Sequence, residues 1–156
     1  MSNDMREILF RGKRKDNGEW VEGAYYKQTH FYGDPCEKHF IITSTEDLGY
    51  DYALDYYEVI PETVGQFTVL TDKNGKKIFE GDIVEGHCHS QWSHRLQRCV
   101  VEYSRDGFEA RHYVKQGEVM RYYSYKVLFS KNVVVIGNIH DNPELLNKLE
   151  SESNAE

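Results

Sequence analysis

Two Asn-Gly pairs, Asn17-Gly18 and Asn74-Gly75, each lie between stretches in which apolar and polar residues alternate. Asn-Gly suits the left-handed backbone of a two-residue hairpin loop, and a period of two marks a strand with one buried face. A chain punctuated this way folds as antiparallel β. Around the first pair the spacing predicts strands near 6–12 and 19–27, and around the second near 64–70 and 77–79. Asn74 and Gly75 are expected at positive φ, as a two-residue hairpin requires. Glu80-Gly81-Asp82 reads as a tight bend before a strand from Ile83, with Gly81 supplying backbone freedom and Asp82 a hydrogen bond to the turn. Further strands are predicted at 40–43, at 99–103 and 108–112 around Arg105-Asp106-Gly107, at 119–129 and at 133–136.

Three stretches depart from that pattern. Gln28 to Lys38 contains Gly33, Asp34 and Pro35 and reads as a loop. Asp47 to Tyr57 crowds Tyr50, Tyr52, Tyr56 and Tyr57 between acids and reads as an aromatic, acidic loop or a short helix. At the end of the chain, Asn142 suits an N-cap, Pro143 the first helical position, and Leu145, Leu146 and Leu149 one helix face. A helix near 143–150 with an acidic tail is expected. Pro61 divides the chain into a β-rich part over 1–62 and a small barrel or sandwich over 63–142, followed by the helix and tail over 143–156.

Leu, Ile, Val and Phe make up 37 of the 156 residues, enough for a core without disulfides. No apolar run is long enough for a membrane-spanning helix, and Met1 to Lys15 is charged from the start, unlike a secretory signal. A cytoplasmic location follows as an expectation, with Cys36, Cys88 and Cys99 as free thiols. The net charge of −7 repels nucleic-acid phosphates and anionic membrane surfaces. The one short basic run, Arg11, Lys13, Arg14 and Lys15, is expected to be a solvated turn.

Three groupings bear on chemistry. His87, His89, His94 and Cys99 include donors that, on one strand face and across a bend, would suit a tetrahedral metal, but the spacing matches no recurrent zinc module. No metal and no cofactor is expected. Cys88 and Cys99 have histidines nearby but nothing that marks an oriented base or an oxyanion site, and Glu80 and Asp82 sit in a turn that cannot separate their pKa values. Nucleotide-binding and metalloprotease signatures do not occur. The tyrosines at 50, 52, 56 and 57 and at 113, 122, 123 and 125 form the third grouping. Beside Arg111, Lys115, Arg121 and Lys126 they are suited to stacking single-stranded nucleic acid, and equally to half-buried strands and protein interfaces. The acidic total favours the interface.

Three longer blocks carry a resemblance. Arg6-Glu-Ile-Leu-Phe-Arg-Gly12 with Trp20-Val-Glu-Gly23 opens the chain. Pro61-Glu-Thr-Val-Gly-Gln-Phe-Thr68 and Asp72-Lys-Asn-Gly-Lys-Lys-Ile-Phe-Glu-Gly-Asp-Ile-Val84 form the middle, and Ile136-Gly-Asn-Ile-His-Asp-Asn-Pro-Glu-Leu-Leu146 the end. Their order and spacing resemble the YopX family, small proteins encoded by phages and prophages of Gram-positive bacteria. The resemblance implies an N-terminal β-rich part, a C-terminal SH3-like barrel and a place in the bacterial cytoplasm. It brings no enzymatic activity and no functional residues with it. The combined expectation is a non-enzymatic accessory protein that binds protein and forms a homo-oligomer, with Tyr50, Tyr52, Tyr56, Tyr57, Tyr122, Tyr123 and Tyr125 at the interface. A single-stranded nucleic-acid-binding barrel is the alternative.

Overall fold

In the computed structural model, residues 5–47, 49, 52–87, 96–116, 118–125 and 132–147 are described. They form eleven strands, one 3-10 turn at Pro61–Thr63 and one short α-helix. In chain order the strands and the α-helix are β1 (Phe10–Lys13), β2 (Trp20–Phe31), β3 (Asp34–Asp47), β4 (Tyr52–Glu58), β5 (Gly65–Thr71), β6 (Lys77–Phe79), β7 (Asp82–His87), β8 (Leu96–Ser104), β9 (Gly107–Gln116), β10 (Val119–Tyr125), β11 (Val134–Asn138) and α1 (Glu144–Asn147). The chain is mostly β, as the alternation predicts. It divides into two compact units, Met1–Val69 and Leu70–Glu156.

In the first unit the strands run in the order β4-β3-β2-β1-β5, all antiparallel. Its buried apolar residues include Ile41, Val59 and Phe67. The predicted loop over 28–38 is instead a hairpin, with Phe31 paired to Asp34 across Tyr32-Gly33. Tyr32 and Gly33 have φ of 47° and 83°, the two left-handed residues of a type I′ turn. Pro35 is tolerated because the β3–β4 ladder begins only at Phe40, so the missing N–H leaves no ladder bond unmade. The predicted aromatic loop is also corrected. Residues 52–58 are the strand β4, in which tyrosines fit a pleated surface.

Both Asn-Gly pairs sit in hairpin turns, but neither is a two-residue loop. Gly18 and Gly75 have φ of 74° and 81°, whereas Asn17 and Asn74 are not left-handed. At the first turn the Arg14 N–H bonds the Glu19 carbonyl (2.8 Å), which encloses four residues. At the second the Asp72 N–H bonds the Lys76 carbonyl (2.8 Å), which encloses three. The reason is the Asp72 carboxylate. Its Oδ1 accepts the N–H groups of Asn74 (2.8 Å) and Lys76 (2.9 Å), which holds 73 and 74 right-handed and leaves the reversal to Gly75.

In the second unit the sheet order is β10-β9-β8-β7-β11, antiparallel throughout. Ile78, Val84, Cys99, Val101, Ala110, Val133 and Val135 make one buried cluster, with Phe108 packed on it. Ile83 and Val100, paired across β7 and β8, are buried on the opposite face, so the middle of this sheet is covered on both sides. Asp82 is 1% exposed and its Oδ2 accepts the Phe79 N–H (2.8 Å), which fastens the bend at Gly81, where φ is 83°. The described helix covers 144–147. Asn142 points its Oδ1 back to the Asn138 N–H (3.4 Å), and Asn138 in turn accepts from the His140 and Asp141 N–H groups (2.9 Å each). The family block over 136–146 thus ends β11 with a net of side-chain-to-backbone bonds.

Candidate functional site

The strand order places β10 at one edge of the second unit's sheet, and its sequence Val119-Met-Arg-Tyr-Tyr-Ser-Tyr125 is the most aromatic stretch there. Its ladder with β9 runs without a register shift from Val119–Gln116 to Tyr125–Ala110. Alternation sends Tyr122 to one face and Tyr123 to the other, yet both stay about half exposed, at 52% and 53%. Val119 and Met120 are exposed as well. An interior strand would bury one of these faces. An edge strand at the rim of the core leaves both open.

Behind Tyr122 lies a charged network spanning β8, β9 and β10. Glu102 and Glu109 stand directly opposite each other, an arrangement that repels unless a cation joins them. Arg111, two residues along β9, is that cation. Its Nη1 donates to Glu102 Oε2 and its Nε to Glu109 Oε1, both at 2.5 Å. The Ser124 hydroxyl donates to Glu109 Oε2 and the Tyr113 hydroxyl to Glu102 Oε1. Tyr122 closes the network: the Arg111 guanidinium lies 4.5 Å from its ring centroid, and Tyr113 packs against it at 5.8 Å. Beside it, Arg98 Nε donates to Glu85 Oε2 (2.8 Å).

The Ser124 hydrogen bond and the Arg111 charge outweigh burial and hold the Glu109 carboxyl below its usual range. Hydrogen bonding to Glu109 raises the pKa of Arg111. Burial, then the bond to Glu102, pushes the Tyr113 phenol up. An acid and a base that exchange a proton need values drawn towards neutrality. Glu109 and Tyr113 are driven away from it, in opposite directions. The arrangement is suited to fixing the β8–β10 surface, on which Tyr122 rests.

A second polar centre sits at the other edge. Asp72 is 5% exposed, and its Oδ2 accepts the Val135 N–H of β11 (3.0 Å), while the Lys73 N–H reaches the Val133 carbonyl (3.1 Å). Burial raises the Asp72 pKa, but the N–H groups of Val135, Lys76 and Asn74 together hold it below the ordinary value. The turn at 72–75 thus occupies the outer side of β11.

The remaining candidates are dispersed. Cys99 is 1% exposed inside the apolar cluster, opposite Val84, where it packs as a small core side chain. His87 ends β7, paired with Leu96, and Cys88, His89 and His94 lie outside the described residues. Among the described residues no three His, Cys, Asp or Glu groups converge as a metal site. Tyr50 also lies outside them, and Tyr52 pairs with Asp47 at the start of β4. Tyr56 is 58% exposed on that edge strand and contacts Phe40 edge-on at 5.6 Å. Tyr57 is half-buried under Arg14, 4.0 Å from its ring centroid. Two members of the basic run are neutralised locally, Arg14 by Asp16 (2.6 Å) and Glu19 (3.7 Å), and Lys15 by Glu58 (2.8 Å). Tyr125 pairs with Ala110 and completes β10.

Glu102, Glu109 and Ser124 were not singled out by sequence. The signal was present in the turn at 105–107: closing it with Ser104 opposite Gly107 puts Glu102 opposite Glu109 and Val100 opposite Arg111. No helix of the described residues is long and apolar enough to cross a membrane. The chain matches no curated protein. Among solved structures it is similar to protein EF1440 from Enterococcus faecalis, at 23% identity and a TM-score of 0.47, over 90% of this chain and 98% of that one. A family model described as YopX protein matches residues 9–147, which spans both units, and the chain therefore belongs to the YopX family.

Proposed function

We propose that this protein is a non-enzymatic, phage- or prophage-encoded accessory protein of the bacterial cytoplasm that acts by binding protein, itself included. The observation that carries the reading is the β10 edge, where Tyr122 and Tyr123 stand half exposed on opposite faces over a charged network that holds one of them in place. Aromatic side chains on a rigid support are the residues that dominate protein interfaces. The second unit is further proposed to be an SH3-like barrel. In its favour, four consecutive strands form a meander and β11 returns beside the first of them, β7. No metal or cofactor is assigned to this role.

A single-stranded nucleic-acid binder is the other reading. Weighing against it, two arginines that lie over tyrosine rings are already engaged by carboxylates: Arg111 by Glu102 and Glu109, Arg14 by Asp16 and Glu19. Light scattering at micromolar concentration tests self-association, with a mass at least twice the 18.3 kDa chain expected. A monomer would refute it. A gel shift of labelled single strands that vanishes at high salt would replace the protein-binding reading with the nucleic-acid one.

A further inference from the structure

We infer that two copies of this chain join β10 to β10 as antiparallel strands about a two-fold axis at Tyr122, so that the two five-stranded sheets become one. This rests on the self-association proposed above and specifies where and in what register it occurs. The first support is the contrast between the two edges of the sheet. On the β11 edge, the Asp72 carboxylate takes the Val135 N–H and the Lys73 N–H takes the Val133 carbonyl, so backbone groups that another strand would need are engaged. That edge also carries a register irregularity between Val135 and Gly137. Both features discourage edge-to-edge pairing. On the other edge, β10 has β9 as its one neighbour among the described residues, and that ladder is regular over all seven residues. It contains no Pro and no Lys, the residues that commonly block such edges.

The second support is self-complementarity. A two-fold axis perpendicular to the sheet keeps each side chain on its own face, so paired residues share a face and the axis passes through a residue. Three centres use most of the strand. A centre at Arg121 sets two guanidinium groups directly opposite each other, which repels. A centre at Tyr123 leaves Val119 and Met120 without a partner within β10. A centre at Tyr122 pairs all seven residues. It sets Arg121 of each copy against Tyr123 of the other, cation against ring, twice in the dimer. Met120 then meets Ser124, Val119 meets Tyr125, and the two Tyr122 rings meet at the axis. The single charge of the strand finds an aromatic partner in this register, and no like charges meet.

The test is a charge exchange read by analytical ultracentrifugation. Arg121 and Tyr123 are exposed, so their replacement leaves the unit folded, as circular dichroism would verify. Arg121→Glu alone removes the cation, and Tyr123→Arg alone sets it against a second one. Each is expected to weaken dimerisation about tenfold or more, because the Arg121–Tyr123 pair occurs twice in the dimer. Combining the two changes sets the introduced carboxylate of each copy opposite the introduced guanidinium of the other, and is expected to restore the wild-type dissociation constant. A centre at Tyr123 would instead oppose two guanidinium groups in the double variant and prevent rescue. A dimer unaffected by either single change, or weakened without rescue, would overturn this register while leaving self-association standing. A wild-type chain that stays monomeric would overturn both.

Discussion

Removing the Asp72 carboxylate is the most informative single perturbation of the fold. The side chain is 5% exposed and accepts three backbone N–H groups, at 2.8, 2.9 and 3.0 Å, from Asn74, Lys76 and Val135. Hydrogen bonds to a charged acceptor contribute about 1.5–3 kcal/mol each, partly offset by the cost of burying the charge. Asp72→Ala also leaves the Val135 N–H without its acceptor at the end of a buried strand. A net loss of about 3–4 kcal/mol follows, a fall of roughly 10–30 °C in the melting of the unit that holds it. Asp72→Asn keeps one acceptor oxygen and turns an amino group towards the other donor, so about 2 kcal/mol is expected. The pH dependence has a definite sign. The folded pKa is depressed, so the stabilisation is complete above the unfolded value near 4 and is lost as pH falls through the folded value. Urea titrations followed by circular dichroism should give a constant gap between wild type and Asp72→Asn from pH 5 to 8, approximately. That gap should close in stronger acid. A loss below about 1 kcal/mol for the alanine variant, or a gap that widens in acid, would refute the argument.

Three further predictions concern backbone and network. Gly75→Val should cost more than about 1 kcal/mol through its φ of 81° alone, since a side chain there meets nothing within 4 Å, and Gly75→Asn should cost less; thermal melts compare them. Val69 has a φ of 71°, a rare conformation for a β-branched residue, and is 40% exposed, so Val69→Gly should leave the melting temperature unchanged or raise it. Arg111→Met strips the cation from the opposed Glu102 and Glu109 and should cost about 2–4 kcal/mol at pH 7, read by urea midpoint. The deficit should shrink towards pH 5, because Glu109 without the Arg111 cation takes up a proton more readily than the wild-type Glu109, which is held below its usual range.

What the sequence reveals about this fold is set by the range of the interactions involved. Turns at 17–18, 74–75 and 81–82 are local events, and their residues announce them. The loop types are less local. Whether Asn74 or only Gly75 turns left-handed depends on where the Asp72 carboxylate finds its donors, one of which is Val135, sixty-three residues away. Gly33, Asp34 and Pro35 resemble breakers because nothing nearby says that β3 lacks an outer neighbour at that point among the described residues. Tyr52 to Glu58 hides as a strand because acids and tyrosines interrupt the period-two signal that identifies one. The candidate site follows the same rule. Tyr122 and Tyr123 are visible as aromatics in any reading, but their exposure on both faces is a consequence of strand order. The order leaves β10 with one neighbour among the described residues and gives β11 the Asp72 turn. Had the turn at 72–75 lain against β10, the same tyrosines would be ordinary packing residues. Their availability to a partner therefore depends on residues that never touch them, and the two ends of one sheet have to be considered together to see it.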